Sequence, residues 1–525
     1  MSGNPDSPPI PVGPNLRSAA KRRPNLAGGA SPRIAARLNF IAPEGRRQAI
    51  TNPSVAPPGL DDLRSFGTGG CRPRLKSVAT PWLMQSRRSF LQQAACGFGW
   101  LAMTALAADA ARAETRTIKG PLAPKQPHFK MKAKRAIFLF MEGGPSQLDT
   151  FDWKPELARA GGRYLASVFP FKQRGESGLW ISDAFPQLAQ HADELCLLNG
   201  MTTNNAGHQQ AVLAMHTGSE NLVRPSLGAW VGYGLGSMAE DLPGFVTVNP
   251  ISHLGGAQNY GSAFLPATFQ GTRLGTGQRG VPHIANRHLS DGDQRRQLAF
   301  VQKLNRRALA NEPNQLELEG LIQTYELAYQ MQSSVPETLD LSREPAHIRD
   351  LYGLDDSATQ NFGSQCLMAR RLMEKGVRFI QLTSTGWDHH NNIRESLGGR
   401  ALSVDRPIAG LLADLKQKGM LDETLVIWGG EFGRQPREDN PGGRGHANRG
   451  YTMWLAGGGV KRGFRYGATD ELGEQAVEGR LGTHDLHATL LHLLGLDHEQ
   501  LTFRHAGRDF RLTDVAGKVA KEIIA

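Results

Sequence analysis

The sequence predicts an α/β fold in which helices cover both faces of a doubly wound, mainly parallel sheet. Short apolar runs of strand length recur along the chain and are bounded by Gly, Asp or Asn. Helical patterns lie between several of these runs, an alternation typical of parallel sheets. The length of 525 residues and the hydrophobic share of 39% are sufficient for a sizeable core.

The individual elements follow from this alternation in chain order. The predicted strands cover 136–141, 195–198, 245–248, 377–382, 424–428 and 452–455, and the predicted helices cover 208–216, 362–375, 403–418 and 484–494. Residues 291–375 are rich in Gln, Leu, Arg and Glu, which predicts a helical insertion with a break near Pro336 and Pro345. The Gly-rich, aperiodic segment 249–288 predicts long loops over the sheet.

The first 83 residues differ in composition from the rest of the chain. They carry 12 Lys and Arg against four acidic residues, and 13 of the 31 prolines. No apolar run in this stretch is long enough to offset the entropy of ordering it, so we expect residues 1–83 to be disordered.

Residues 84–113 have the pattern of a twin-arginine export signal. Arg87 and Arg88 precede an apolar stretch that is too short for a stable membrane span, and a small-x-small cleavage site ends at Ala113. The pattern predicts recognition by the twin-arginine translocase and a periplasmic or secreted protein. A signal stands at the N-terminus of a precursor, so we expect residues 1–83 to come from an over-extended gene start.

Export also changes the interpretation of the net charge. The chain carries a formal charge of +11, but the segments before Glu114 supply +10 of it. The remaining chain, a linker over 114–134 and a domain over 135–525, is almost neutral, and no nucleic-acid partner is expected. It keeps Cys196 and Cys366, for which two buried thiols are favoured over a single disulfide.

Acidic and imidazole side chains follow the predicted strands, at the edge where ligands gather in open α/β sheets. Together they suit a divalent cation, and the lack of cysteine argues against a structural zinc site. Each residue alone has an ordinary explanation as a turn, cap or polar contact. The prediction of a cation site therefore depends on several of these side chains meeting at one edge of the sheet. The candidate metal ligands are Glu142, Asp388, His389, His390, Glu431 and His446.

Several motifs resemble domain of unknown function 1501, a family of exported bacterial proteins in the alkaline-phosphatase/sulfatase-like superfamily. The segments that carry the resemblance are 138–152, 386–390, 430–434, 455–459 and 484–496, and the twin-arginine leader also fits. The resemblance implies an alkaline-phosphatase-like fold. It also implies one or two divalent ions (Zn, Mn, Mg or Ca) held by Glu142, Asp388 with His389 or His390, Glu431 and His446.

The resemblance also points to positions for catalysis, with two departures. The pair Thr217-Gly218 resembles the end of the superfamily's nucleophile helix and places His208 at the nucleophile position, where a hydroxyl or thiol is usual. Thr203 could supply a hydroxyl from the preceding loop, and His208 could itself be a nucleophile or a ligand. Arg434 could pair with a substrate anion or be solvated. Phe432 replaces a usual histidine ligand, so one metal site is expected to be incomplete.

The function implied is an exported, metal-dependent hydrolase of sulfate or phosphate esters, acting on an anionic small molecule or polysaccharide. The alternative is a catalytically silent relative that serves as a periplasmic binding or assembly protein. The missing hydroxyl at residue 208 favours the alternative, and the convergent ligand set favours the hydrolase.

Overall fold

A computed structural model describes residues 121–275, 284, 288–311 and 316–525. The predicted disordered segment 1–83, the export signal 84–113 and the first part of the linker lie outside the described residues, so those predictions stay untested.

Strands and helices alternate through most of the described chain. The strands are β1 (Arg135–Met141), β2 (Phe171–Arg174), β3 (Leu179–Ser182), β4 (Leu195–Thr202), β5 (Phe245–Val248), β6 (Thr272–Leu274), β7 (Phe379–Ser384), β8 (Thr424–Gly429), β9 (Gly433–Glu438), β10 (Arg444–Ala447), β11 (Tyr451–Ala456), β12 (Phe464–Tyr466), β13 (Ala468–Thr469), β14 (Ala476–Glu478), β15 (Leu481–Gly482), β16 (Phe503–His505) and β17 (Arg508–Phe510).

The α-helices are α1 (Leu157–Ala160), α2 (His208–Thr217), α3 (Leu227–Leu235), α4 (Asp291–Asn311), α5 (Leu316–Leu339), α6 (Ala346–Leu351), α7 (Gln360–Glu374), α8 (Ile393–Gln417) and α9 (Thr483–Leu493). Short 3-10 helices cover Gln147–Asp149, Leu188–Glu194, Gly256–Tyr260, Ala267–Phe269, Leu341–Arg343, Leu421–Glu423 and Lys521–Ile523.

One nine-stranded sheet forms the centre of the fold. Its strand order is β12-β4-β11-β8-β1-β7-β5-β6, and β15 also pairs with β4. β1 is parallel to both of its neighbours, with Ile137 opposite Ile380 of β7 and Val426 of β8. β11 is antiparallel to β8 and to β4, whereas the other pairs in this sheet are parallel.

Both faces of the sheet are covered because its strands are apolar on both sides. Ile137 and Leu139 of β1 point into a core that includes residues of α7 and α8. Phe138 and Phe140 point into a second core that includes residues of α2, α3 and α9. The α/β fold class predicted from the sequence is therefore confirmed.

The segment 291–375 is largely helical in its described residues. Its first two helices form a separate hairpin, and a later helix belongs to the layer that covers the sheet. α4 and α5 form a hairpin, whereas α7 packs against β7 and α8 and belongs to the layer that covers the sheet. The predicted break near Pro336 and Pro345 is present, because α5 ends at Leu339, three residues after Pro336, and the next α-helix begins at Ala346. Buried Val335 and Thr338 hold this end of the helix against the body.

Two other features concern single predictions. β6, which was not predicted, extends the sheet beside β5 within the segment expected to be loops. Cys196 and Cys366 are free and buried, as predicted. In the described part of the chain, no helix combines the length and apolarity required to cross a bilayer.

Candidate metal centre

The sheet topology brings the predicted ligands to one edge. Glu142, Asp388 and Glu431 follow the carboxyl ends of the parallel strands β1, β7 and β8. β4 leads to this edge from the same direction, so the start of α2 at His208 lies there as well. Because β11 runs the opposite way, its beginning meets the same edge and brings His446 of β10 to it.

Three imidazoles surround one carboxylate oxygen at this edge. Asp388 Oδ1 lies 3.2 Å from Nε2 of His208, 3.1 Å from Nε2 of His390 and 3.3 Å from Nε2 of His446. One ligand atom each from His208, Asp388 and His446 lies within 4.8 Å of the others, a spacing that could hold a metal ion. The site therefore presents nitrogen and carboxylate donors that converge on a single point.

The far nitrogen of each ring has its own partner. Nδ1 of His208 lies 2.6 Å from Glu431 Oε1, and Nδ1 of His390 lies 2.6 Å from Asp439 Oδ2. Nδ1 of His446 lies 2.7 Å from the carbonyl oxygen of Ala206. Because an acceptor at Nδ1 fixes the proton there, each neutral ring turns the lone pair of Nε2 toward the crevice.

This arrangement fits a divalent cation. Nε2 of His390 and Nε2 of His446 face each other at 2.9 Å, and two neutral lone pairs at that distance repel unless a proton or a cation lies between them. Nε2 of His208 is buried and points toward Asp388 Oδ1, 3.2 Å away, where either a proton on Nε2 or a cation is needed to offset the repulsion between the two acceptors. Imidazole nitrogens with carboxylate oxygen are a donor set that zinc and similar ions accept.

The protonation of the cluster reflects its charges. Burial lowers the pKa of His208, but the neighbouring Asp388 and Glu431 carboxylates outweigh burial and raise it to about 9. Burial acts to raise the pKa of Asp388, yet the hydrogen-bond donors of His208, His446 and Arg434 hold it well below its ordinary value. The cluster without an ion therefore binds a proton tightly, and an ion would displace that proton.

Arg434 holds Asp388 and has no free face for a substrate anion. Its side chain is completely buried, and it donates to Asp388 Oδ1 at 2.5 Å and to the carbonyl oxygens of Gly144 and Arg444 at 2.9 and 3.1 Å. The structure thus replaces the expected substrate contact with a positioning role, because every direction of the guanidinium is filled by protein.

Glu142 lies beside the imidazole cluster. Its side chain is buried, and Oε1 lies 3.6 Å from Nε2 of His253, an exposed residue of the loop after β5. Burial, and then the negative charge of Glu431, raise the pKa of Glu142. Glu431 itself accepts hydrogen bonds from the amide of Gly143 and from His208, so it orients a ligand.

The remaining residues singled out in the sequence contribute no atom to the cluster of convergent nitrogens. His389 is buried, burial lowers its pKa to about 4, and neither ring nitrogen has a hydrogen-bond partner among the described residues. Thr203 lines a cavity of about 580 Å³ to which His208, His390 and His446 do not contribute. Phe432 packs against the rings of His208 and His446, with centroids 4.8 and 4.6 Å apart, where the resemblance implies a ligand.

Sequence reasoning missed Asp439, His253 and the Ala206 carbonyl. Asp439 stands in a polar turn after β9, where an acidic residue is ordinary, and a backbone carbonyl leaves no mark in a sequence. His253 lies in a Gly-rich loop without periodicity. None of the three has a local pattern that distinguishes it from a solvated residue.

The comparison with protein families decides the family. A model described as "Protein of unknown function (DUF1501)" matches residues 133–524. The chain belongs to the DUF1501 family. The family resemblance seen in the sequence motifs is thereby confirmed, and no curated protein matches the chain.

Solved structures with similarity to this DUF1501 chain include three of low sequence identity. The lipoteichoic acid synthase LtaP from Listeria monocytogenes is 9% identical, with 74% of this chain and 78% of that chain covered and a TM-score of 0.35. The PsFucS1 sulfatase from Pseudoalteromonas sp. is 15% identical, with 70% and 68% covered and a TM-score of 0.32. A protein in the alkaline phosphatase superfamily from Vibrio parahaemolyticus is 11% identical, with 74% and 72% covered and a TM-score of 0.30.

Proposed function

We propose that this chain is a metal-dependent hydrolase of sulfate or phosphate esters. The observation that carries the proposal is the convergence of three imidazole nitrogens on Asp388 Oδ1, directly at the beginning of α2. His208, His390, His446 and Asp388 would hold the ion. When bound, it would polarise an ester oxygen and lower the pKa of a coordinated water.

The chain itself supplies groups suited to an anionic substrate. The first intrahelical hydrogen bond of α2 runs from the amide of Ala211 to the carbonyl of Gly207, so the amides of residues 208–210 have no partner within the helix. Free amides and the positive end of the helix dipole stabilise a tetrahedral anion. Sulfate and phosphate monoesters themselves carry a tetrahedral anionic group, which supports this substrate class.

Glu142 is the proposed proton donor. Its raised pKa keeps a proton on the carboxyl group at a higher pH than for a solvated glutamate. A leaving alkoxide oxygen requires a proton from such a group, and His253 beside Glu142 connects it with solvent. Glu142 is therefore assigned to proton transfer, while Arg434 and Glu431 position the ligands.

One observation favours the silent alternative, a periplasmic binding or assembly protein. Residue 208 has no hydroxyl or thiol, and Thr203 lines a cavity to which the three imidazoles do not contribute. A hydrolase built on this site must therefore use water or His208 itself as the nucleophile. A chain that retains the ion and binds anionic esters without cleaving them would have the same residues.

Metal analysis and an ester panel test the proposal. The purified protein is expected to contain a divalent metal and to hydrolyse at least one sulfate, phosphate or phosphonate monoester when Zn, Mn, Mg or Ca is supplied. Asp388→Asn and His446→Ala should lose metal affinity by about 10- to 100-fold. The control His347→Ala changes an exposed histidine of α6 and should alter neither readout.

The three outcomes separate the two functions. Metal with hydrolysis supports the enzyme, and metal without hydrolysis of any ester supports the silent alternative. A wild-type protein that binds none of the four ions overturns both, because both depend on the centre.

We also propose that the chain is exported through the twin-arginine translocase to the periplasm or beyond. The paired arginines, the short apolar stretch and the cleavage motif of residues 84–113 support this location.

A further inference from the structure

Two tryptophans stack on each other at the surface of the domain. The ring centroids of Trp153, which follows the first 3-10 helix, and Trp180 of β3 lie 3.7 Å apart, with the ring planes inclined by 28°. Trp153 is 38% exposed, and Trp180 is partly buried. Neither residue belongs to the two cores that cover the sheet. Because a tryptophan stabilises a fold chiefly by burying its large ring, a stacked pair at the surface suggests a role in binding.

A cavity of about 510 Å³ lies beside this stack. Sites for small molecules have volumes of about 300–1,000 Å³ and combine aromatic side chains with a few polar groups. Both tryptophans line the cavity, and the polar side chains in its wall belong to Asp152, Ser177, Asn199 and Arg465. The cavity adjoins the edge strand β12, and no residue of the imidazole cluster lines it. It is therefore separate from the candidate metal centre.

The wall offers hydrogen-bond donors that the protein does not use. Among the described residues, the guanidinium of Arg465 has neither an ion-pair partner nor a hydrogen-bond acceptor, although this side chain lies near enough to Asp152 to lower its pKa. The indole N–H groups of Trp153 and Trp180 likewise find no acceptor in the described part of the chain. A ligand with oxygen acceptors would satisfy these donors.

The wall also offers acceptors. Oδ1 of Asp152 lies 3.1 Å from Lys154 Nζ, and Oδ2 accepts from Thr469 Oγ1 at 2.5 Å, which leaves a second lone pair on each oxygen. Asn199 is buried, and its Nδ2 donates to the carbonyl of Phe151 at 3.1 Å. Because a carbonyl only accepts, this bond fixes the orientation of the amide, and Oδ1 has no donor within the described residues.

This combination fits a sugar ring better than other ligands that stack on tryptophan. A pyranose has a C–H face that packs on an aromatic ring and a rim of hydroxyls, each of which both donates and accepts. Arg465 matches the acceptors of that rim, and Asp152 and Asn199 match its donors. The phosphates of a nucleotide would meet the carboxylate of Asp152. A proline-rich peptide has carbonyl acceptors but few donors for the two acidic and amide oxygens.

We propose that this cavity binds a pyranose unit of a polysaccharide. We call it the tryptophan site, and it consists of Asp152, Trp153, Ser177, Trp180, Asn199 and Arg465. The proposal goes beyond the proposed hydrolase, because the tryptophan site contains none of the candidate metal ligands and would hold a sugar whether or not an ester is cleaved.

Affinity electrophoresis tests the proposal in native gels that contain EDTA and one of four neutral polysaccharides: laminarin, galactan, mannan or xylan. At least one of them is expected to retard the purified wild-type protein. Trp153→Ala removes the exposed ring of the stack and should raise the dissociation constant by about tenfold or more. Trp153→Phe keeps a smaller ring and should bind more tightly than Trp153→Ala. Arg465→Ala should weaken binding as well, because it removes the unused donors.

Tyr325→Ala is the matched control, because it removes an aromatic side chain that is 47% exposed on α5, outside the tryptophan site. It should be retarded like wild type, and melting temperatures show that each variant is folded. Asp388→Asn should also bind like wild type, so a failure of the hydrolase proposal leaves this result unchanged. A wild type that none of the four polysaccharides retards, retardation that Trp153→Ala leaves unchanged, or binding of decaproline in place of the sugars would each overturn the proposal.

Discussion

The three imidazoles around Asp388 are held by three separate acceptors, two carboxylates and one backbone carbonyl. His208 has the buried carboxylate of Glu431, His390 has the half-exposed carboxylate of Asp439, and His446 has a backbone carbonyl. A carboxylate behind an imidazole makes the ring a stronger ligand than a carbonyl does. The ligands should therefore differ in how easily their orientation is lost, and Asp439 can be changed with the least damage to the core.

We predict that Asp439→Asn weakens metal binding without unfolding the protein. Asparagine can present its NH₂ group to Nδ1 of His390 and allow the opposite tautomer, so Nε2 would lose its lone pair. Titration of the metal-free protein with Zn²⁺ against a chelator should show an affinity lower by about 10- to 100-fold.

The melting temperature of Asp439→Asn should stay near wild type, and Asp509→Asn, an exposed change on β17, serves as the control. An unchanged Zn²⁺ affinity would mean that Asp439 does not orient His390.

Gly143 permits the close approach of two strand ends. Its φ is +117°, and a Cβ there would lie 2.5 Å from the backbone nitrogen of Asp388. We predict that Gly143→Ala destabilises the protein by more than 1 kcal/mol, roughly the cost of a strained backbone, and lowers metal content, because Asp388 must move. Thermal denaturation and metal analysis measure the two effects.

Gly399→Ala is the matched control, since this glycine lies inside α8 with no atom within 4 Å of the added Cβ. Alanine there should stabilise the helix by about 0.5–1 kcal/mol. Equal losses in both variants would show that crowding at Gly143 is not the cause.

At the residue scale, the ends of the predicted strands were sufficient to locate the candidate metal site at one edge of the sheet. They were not sufficient to identify which side chains converge there. Glu142, Asp388, Glu431 and His446 all lie there, as the Gly-flanked ends of apolar runs predicted. The choice between His389 and His390 could not be made from the sequence. It depends on a tight turn after β7, in which the amide of His389 bonds to the carbonyl of Trp387.

At the element scale, clear hydrophobic patterns predicted the strands of the sheet and the helices that cover it. Where the local pattern is weak, the predicted ends of an element differ from the observed ends. β1, β5 and β8 lie within one residue of prediction because their apolar runs are continuous. α8 begins ten residues earlier than predicted. Gly398 and Gly399 are poor helix formers and weaken the helical pattern there, but Ile393 and Leu397 are buried and hold the first turns of the helix in place. The antiparallel direction of β11 depends on long-range pairing that no local pattern encodes.

The contact between α2 and α9 contains a pH-sensitive pair of histidines. Nε2 of His487 on α9 lies 2.8 Å from the carbonyl of Met215, and His216 of α2 bonds to the carbonyl of Val212. Burial lowers the pKa of His487 to about 3 and that of His216 to about 4. Both rings are therefore neutral in the folded protein.

We predict that stability falls as the pH decreases from 6.5 toward 4. Below pH 6.5 each histidine becomes protonated in the unfolded chain but stays neutral in the folded protein. The free energy of unfolding therefore declines by about 1.4 kcal/mol per pH unit for each ring. His487→Gln keeps a donor for the Met215 carbonyl and removes the titration, so its denaturation curves should depend less on pH. His347→Gln, on the exposed face of α6, should follow wild type, and a His487→Gln profile as steep as wild type would contradict the assignment.

At the scale of the whole molecule, the positive charge is distributed unevenly along the chain. The segments before Glu114 contain nearly all of the positive excess, while the folded domain is close to neutral. Under the proposed cleavage before Glu114, the overall pI of about 9.6 would describe the precursor rather than the exported protein. A basic surface for nucleic acid is not required to explain it.

We predict that export depends on the guanidinium pair of Arg87 and Arg88. Lysine keeps the positive charge but lacks the planar, five-donor geometry of arginine, so Arg87→Lys with Arg88→Lys should leave the precursor in the cytoplasm. Cell fractionation and immunoblotting measure the distribution, and Arg116→Lys in the linker is the control. The exported wild-type protein should begin at Glu114, and translation started at Met84 should export it equally well, because the arginine pair then stands near the N-terminus of the precursor. Periplasmic wild type together with an equally periplasmic double-lysine variant would mean that another export route carries this chain.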